Sequence, residues 1–378
     1  MTKPRIGINL MWLRPEAAGG AEEYAIRLLR ALDERSRDVV DITLLGNRTL
    51  PKAHPELAER FRTAIAPIDG GSRAARIAAE STWLPREAAR ERLHLVHHLN
   101  NVVPWLRNRP SVLTIHDLRP IELPETLGRA QGAYLRARFR PSVRGASVIT
   151  TPSAFVRETV IELLGADPDR VHVVSAPLFT PAQSGSAGSS GDGRSFLYPA
   201  ITNPHKNHRT LLTAFAKVVA ARDDAVLVLT GAPGSADTGV TRMIEELGLS
   251  ANVRRLGRVP PEKLEALFRE SAAIVYPSTY EGFGLPLAEA MTLGCPVIAS
   301  DRTALPEVLG GAGILVGADD VDGWAEAMLR LLDDGTLRAE LRAAGRERAR
   351  TFSPEEAARR QIAAYRLALE TPRRRAAP

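Results

Sequence analysis

The sequence predicts an α/β protein made of two doubly wound, parallel-sheet domains. Three observations carry that prediction. The chain has 378 residues, and a single hydrophobic core stops growing near roughly 250–300 residues, so two cores are favoured. Short runs rich in Val, Ile and Leu recur between amphipathic stretches. A polar segment rich in Gly and Ser breaks that pattern near the middle of the chain.

The first set of runs is Arg5–Leu10, Val40–Leu45, Leu93–His98, Val112–His116, Val148–Thr151 and Val171–Ser175. The second is Phe196–Pro199, Ala225–Thr230, Val253–Leu256, Ala273–Tyr276, Val297–Ala299 and Gly313–Val316. Each is nearly continuous in apolar content rather than alternating, as expected of strands buried on both faces of a parallel sheet. Helical periodicity marks Ala21–Leu32, Arg209–Ala221, Pro261–Glu270, Val321–Leu332 and Pro354–Leu369. Pro181–Arg194, PAQSGSAGSSGDGR, holds no large apolar residue and reads as a linker or loop. The expected division is a domain over 1–177, a linker over 178–194 and a domain over 195–353, with no short-period repeat. Open α/β sheets offer ligands the carboxyl ends of their strands, and here the cleft between two such sheets.

Composition excludes several classes. An apolar fraction of 44% and a charged fraction of 25% are ordinary for a globular chain. The single cysteine, Cys295, rules out a disulfide scaffold and reads as packed between helix and strand. Fifty Lys and Arg against 44 Asp and Glu give +6, spread as scattered arginines, and aromatics are only 5%. A basic stripe interleaved with aromatics is missing, so nucleic acid is not an expected partner. No apolar run reaches the roughly 18–20 residues of a membrane-spanning helix, and the first ten residues lack a signal-peptide core. The expectation is a cytoplasmic protein, with peripheral contact at the inner membrane face left open.

Four segments carry chemistry. In Tyr276–Pro296 a strand runs into Gly282-Phe283-Gly284 and then a helix opening at Leu285-Pro286. Glycines permit close backbone approach, and free N–H groups at a helix start bind anions. Glu281 precedes that helix and Glu289 lies about one turn inside it, a spacing that suits sugar or ribose hydroxyls as well as plain solvated charges. Lys206, in Asn203-Pro204-His205-Lys206-Asn207-His208, stands at a strand-to-helix turn, either an exposed lysine or a partner for phosphate charge. Gly19-Gly20 precedes a helix but lacks the G-x-G-x-x-G dinucleotide pattern. His116, in Thr114-Ile115-His116-Asp117-Leu118, ends a buried strand, as do His97 and His98, so position alone does not choose among them. Asp117 reads as a turn cap. Two D-x-D sequences, Asp167-Pro168-Asp169 and Asp320-Val321-Asp322, also read as caps.

The eleven residues Glu281–Met291, EGFGLPLAEAM, resemble the glutamate-x7-glutamate signature of retaining nucleotide-sugar glycosyltransferases of family 4, which have the GT-B fold. The resemblance extends from Gly19-Gly20 to the closing helix. It implies two Rossmann-like domains facing a central cleft, the first binding the acceptor and the second the donor, with helix 354–370 packing back on the first. It further implies that Glu281 contacts the donor sugar, that Glu289 holds the ribose, and that Lys206 binds the diphosphate. The backbone at Phe283, Gly284 and Leu285 would face that diphosphate, Gly19 and Gly20 would lie near it, and His116 would be the catalytic-cleft histidine. One departure is Ala200, where relatives often carry an arginine six residues before the lysine; His205 or Arg258 is the suggested replacement.

The expected function is hexose transfer from a nucleotide diphosphate sugar to an acceptor hydroxyl, with retention, by a same-face dissociative mechanism and without a metal or other cofactor. GDP-mannose is the leading donor, since H-D-L followed by Pro124-Glu125 resembles mannosyltransferases of the family. UDP-glucose, UDP-N-acetylglucosamine and deoxysugar donors are alternatives. A polyprenyl-linked glycan, a lipid or a soluble natural product would serve as acceptor. An oxidoreductase would need the missing dinucleotide fingerprint. A sugar-nucleotide sensor would keep the binding residues and lose Lys206 or His116, and both are present.

Overall fold

The computed structural model describes residues 3–13, 19–179 and 193–371. It forms two compact units, Met1–Pro177 with Pro354–Pro378, and Leu178–Ser353. Most of the Pro181–Arg194 segment lies outside the described residues.

Unit 1 contains β1 (Arg5–Asn9), β2 (Asp41–Gly46), β3 (Arg62–Ile65), β4 (Leu95–His98), β5 (Ser111–Thr114), β6 (Val148–Thr151) and β7 (Val171–Val173). They form one sheet in the order β3-β2-β1-β4-β5-β6-β7, parallel throughout. Unit 2 contains β8 (Ser195–Pro199), β9 (Val226–Thr230), β10 (Val253–Gly257), β11 (Ala273–Tyr276), β12 (Val297–Ser300) and β13 (Ile314–Val316). Their order is β10-β9-β8-β11-β12-β13, again all parallel. In each sheet the winding reverses once, between β1 and β4 and between β8 and β11. Those switch points are where open α/β sheets accept ligands, at the carboxyl ends of the strands.

Central strands such as β4, β5, β6, β11 and β12 are buried along their whole length, which is why their apolar runs are continuous. The sequence reading misses β3. It is an edge strand whose only fully buried residue is Ala64, so its RTAI carries almost no apolar signal. The runs Arg5–Leu10 and Val112–His116 outlast their strands because the loops beyond stay inside: Leu10 and Ile115 are fully buried. His116 therefore stands two residues past β5 rather than in it. The helix Pro354–Glu370 packs on the helix Gly20–Ser36 and on β4, β5 and β6, joined by an Arg35–Glu355 ion pair of 2.5 Å. No helix among the described residues is long and apolar enough to cross a membrane.

Candidate active site

In unit 2 the chain leaves β8, crosses Ala200–Asn203 and forms a short 3-10 turn, Pro204–Lys206. Asn207, in the left-handed region at φ 54°, then starts the helix His208–Ala221. The Tyr198 hydroxyl, rooted in β8, donates to the Lys206 carbonyl and fixes that turn. A second loop leaves β11 and is fastened to the first: Ser278 Oγ and the Thr279 N–H both donate to the His205 carbonyl, at 3.1 and 2.8 Å. His205 is thus a buried anchor, acting through its backbone.

This fastening brings Lys206 and Glu281 into an ion pair, Nζ to Oε1, across the switch point. Their side chains are 15% and 14% exposed, so the pair is half-sheltered but open to a ligand. Lys206 Nζ also donates to the Tyr276 hydroxyl at 3.3 Å and lies 5.4 Å from that ring's centroid. Burial by itself would raise the Glu281 carboxyl, but the Lys206 charge and its hydrogen bond outweigh that and hold it below the usual range. The Glu281 N–H donates to Thr303 Oγ1 at 3.0 Å.

Gly284 opens the helix Leu285–Leu293 at φ 89°, and a Cβ there would stand 2.6 Å from Leu305 Cδ2. The left-handed backbone there demands glycine. The helix has Pro286 in its first turn, no acidic residue there and no side-chain cap, so no carboxylate in that turn opposes the positive end of its dipole. Phe283 is buried edge-to-face on Phe352, centroids 5.3 Å apart, which pins the loop and leaves its backbone for a ligand. Glu289 is half-buried one turn into the helix, close enough for its charge to be felt at the Tyr276 phenol. Ala200 is buried, and its N–H donates to the Thr230 carbonyl at 2.9 Å. Arg258 is exposed just past the edge strand β10, and among the described residues no contact joins it to Lys206 or Glu281.

In unit 1 Gly19 is the exposed, extended N-cap of the helix that Gly20 begins. A Cβ on Gly20 would meet nothing within 4 Å, and Glu22 and Glu23 occupy the first turn. Electrostatics therefore favour the Leu285–Leu293 helix over this one as an anion site. His116 donates from Nε2 to the Leu99 carbonyl at 2.9 Å, since a carbonyl only accepts. Its N–H donates to Asn101 Oδ1 at 2.7 Å, and its ring meets Tyr24 edge-on at 5.0 Å. Burial keeps the imidazole neutral, below its ordinary pKa, so Nδ1 is an acceptor. Asp117 accepts from the Arg119 N–H at 3.1 Å as a turn cap. His97 and His98, equal candidates by position, are both interior. His97 bonds Tyr365 Oη and Thr114 Oγ1 at 2.9 and 2.7 Å. His98 Nδ1 accepts from Asn9 Nδ2 at 3.3 Å, and burial pushes its pKa down to about 3.

The first aspartate of each D-x-D caps backbone: Asp167 accepts from the Asp169 N–H at 3.2 Å and Asp320 from the Gly323 N–H at 2.9 Å, while Asp322 pairs with Lys217. No group of three or more His, Cys, Asp or Glu among the described residues could hold a metal ion. Burial drives the Cys295 thiol up to about 12, so it is packed rather than nucleophilic. Sequence reasoning missed Tyr198, Tyr276 and Tyr24. The first two are the aromatics in strand runs that lead into the Lys206 and Glu281 loops, a signal that existed but reads equally as core.

Residues 18–177 match the family described as Glycosyltransferase Family 4, and residues 180–348 match Glycosyl transferases group 1. Over 290 residues the chain is 32% identical to the O-antigen chain mannosyltransferase B of Escherichia coli, covering 72% of this chain and 74% of that protein. It is 29% identical over 385 residues to a D-inositol 3-phosphate glycosyltransferase of Rhodococcus erythropolis, covering 93% and 87%. Among solved structures, sucrose-phosphate synthase from Thermosynechococcus elongatus superposes with a TM-score of 0.77 at 22% identity, over 96% of this chain and 98% of that one. Anabaena HepE in complex with UDP and glucose gives 0.74 at 18%, over 95% and 98%. The structural likenesses speak for the fold, and the sequence matches for the family. The chain belongs to the family-4 glycosyltransferases of GT-B fold.

Proposed function

We propose that this glycosyltransferase moves a hexose, mannose from GDP-mannose in the leading reading, onto an acceptor hydroxyl with retention at the anomeric carbon and without a divalent metal. The observation that carries the reading is the Lys206–Glu281 pair beside a helix N-terminus with no acidic residue in its first turn. A donor diphosphate presents the negative charge that both Lys206 and the positive end of that helix can meet. As the sugar bond breaks, charge grows on the leaving phosphate, so those groups stabilise the transition state more than the ground state. Glu281 takes a donor-sugar hydroxyl and Glu289 the ribose hydroxyls. In unit 1 the neutral His116 accepts through Nδ1 and orients the acceptor hydroxyl. The leaving phosphate, rather than a side chain, takes the acceptor proton.

Mannose is favoured by the relatives named O-antigen chain mannosyltransferases, from Escherichia coli and Salmonella typhimurium. Metal independence is supported by Asp167 and Asp320 being engaged as caps, by Asp322 pairing with Lys217, and by the ammonium already at the site. A thermal-shift screen against GDP, UDP and dTDP sugars tests the donor: a ligand at about 100 times its dissociation constant adds roughly 2.7 kcal/mol to the native state. A shift with UDP sugars alone would replace GDP-mannose. Product anomeric configuration by NMR tests retention, and turnover in excess chelator tests the metal. Activity lost to chelator and restored by manganese would overturn that part.

A further inference from the structure

The Lys206–Glu281 pair poses a physical problem. In the structure the two groups neutralise one another, yet the proposed function, on which this inference rests, needs each to turn to a different part of the donor. Opening a half-buried ion pair leaves two charges short of partners, and such charges are costly. Something must hold the ammonium while that contact is given up.

We propose that Tyr276 is the positioning residue that keeps the Lys206 ammonium in place when the nucleotide sugar draws it away from Glu281. A phenol can do this because its oxygen accepts from an ammonium and its ring face attracts one. The hydroxyl accepts from Lys206 Nζ at 3.3 Å. The ring lies under the ammonium at 5.4 Å, a cation–π distance that survives a small swing of the lysine. Tyr276 itself cannot follow such a swing. It ends the fully buried strand β11, is 1% exposed, and packs edge-to-face on Tyr198 with centroids 5.5 Å apart. Tyr198 in turn holds the Lys206 carbonyl. One tyrosine thus fixes the lysine's backbone and the other its charged end. The phenol stays protonated, since burial and then the Glu281 and Glu289 charges push its pKa well up.

A buried tyrosine whose hydroxyl merely needs a partner would look similar. Tyr276→Phe separates the two, because it keeps the ring and removes only the oxygen. In the full-length enzyme, losing the oxygen removes the acceptor that holds the ammonium once Glu281 has released it, so kcat should fall about tenfold, the worth of one such bond. Donor KM should change less, because the ammonium itself is still there to meet the diphosphate. Unchanged kcat, with only a lower Tm, would assign Tyr276 to packing and overturn the proposal. Lys206→Ala and Glu281→Gln serve as the separate control. If neither alters turnover or nucleoside diphosphate binding, the parent reading fails, whatever Tyr276→Phe does.

Discussion

Between β8 and β11 of unit 2 stand an ammonium and a carboxylate, Lys206 and Glu281. Between β1 and β4 of unit 1 stand Asn9 and His98, joined by a 3.3 Å hydrogen bond and backed by the buried Glu80, which accepts from Asn9 at 3.1 Å. Burial raises the Glu80 pKa and lowers those of His97, His98 and His116, each toward its neutral form. The strand order around both switch points is the same, so topology did not choose the chemistry. One unit holds opposite charges half-open to a ligand, and the other offers neutral hydrogen-bonding groups. That division suits a charged donor on the first and an uncharged hydroxyl on the second.

The sharpest break of this comparison is Lys206→Ala. Removing a donor that strengthens as charge develops should lower kcat by about 10²–10³, with a smaller rise in donor KM. Equal turnover with weaker donor binding would make Lys206 a ground-state anchor and erase the contrast. Glu289→Ala should weaken nucleoside diphosphate binding by about 1–3 kcal/mol, as titration calorimetry would read it. Unchanged affinity would remove Glu289 from the ribose. His116→Ala, the loss of one neutral acceptor, should cost about tenfold in kcat/KM for the acceptor and leave nucleotide binding intact. A large loss of nucleotide affinity instead would place donor-binding chemistry on unit 1.

The smallest effect concerns two buried histidines. His97 uses both ring nitrogens, on Tyr365 and Thr114, so His97→Phe should destabilise by about 1–3 kcal/mol. His208 packs on Tyr198 with centroids 4.8 Å apart, but neither ring nitrogen has a hydrogen-bond partner. His208→Phe should stay within about 1 kcal/mol of the parent at pH 7. Burial lowers the His208 pKa to about 4 in the fold, against an ordinary value of about 6.5. Below about 6.5 the unfolded chain binds a proton that the folded one refuses, so stability falls as pH drops toward 4. His208→Phe abolishes that loss, and its advantage should grow with acidity in melting curves. A parent and variant falling in parallel would show that His208 does not titrate in this window.

The unit 2 site was legible because its parts are contiguous in sequence. Glu281, Gly284 and Glu289 sit within one loop and one helical turn, where spacing alone sets geometry. Gly284 needed only local backbone to explain it. The choice of His116 over His97 and His98 was not local. All three end buried strands or their extensions, and only the resemblance separated them in the sequence. In the fold His97 is taken by Tyr365, a residue 268 positions away, and His98 by Asn9, 89 positions away.

Arg258 shows the opposite limit: a free arginine at a strand end satisfied the chemistry, yet edge strand β10 leaves it exposed and unconnected to the pair. The sequence by itself determined the two parallel sheets, since apolar runs of strand length between amphipathic helices have few other ways to bury themselves. It determined the Glu281–Glu289 motif through local spacing. Only the tertiary structure decided that Lys206 meets Glu281, 75 positions on, that Tyr276 touches Lys206, and that burial pushes His97, His98 and His116 toward their neutral forms. Ion pairing and desolvation depend on which surfaces the fold brings together and excludes from water. That information is spread over distant strands and is not carried by any one of them.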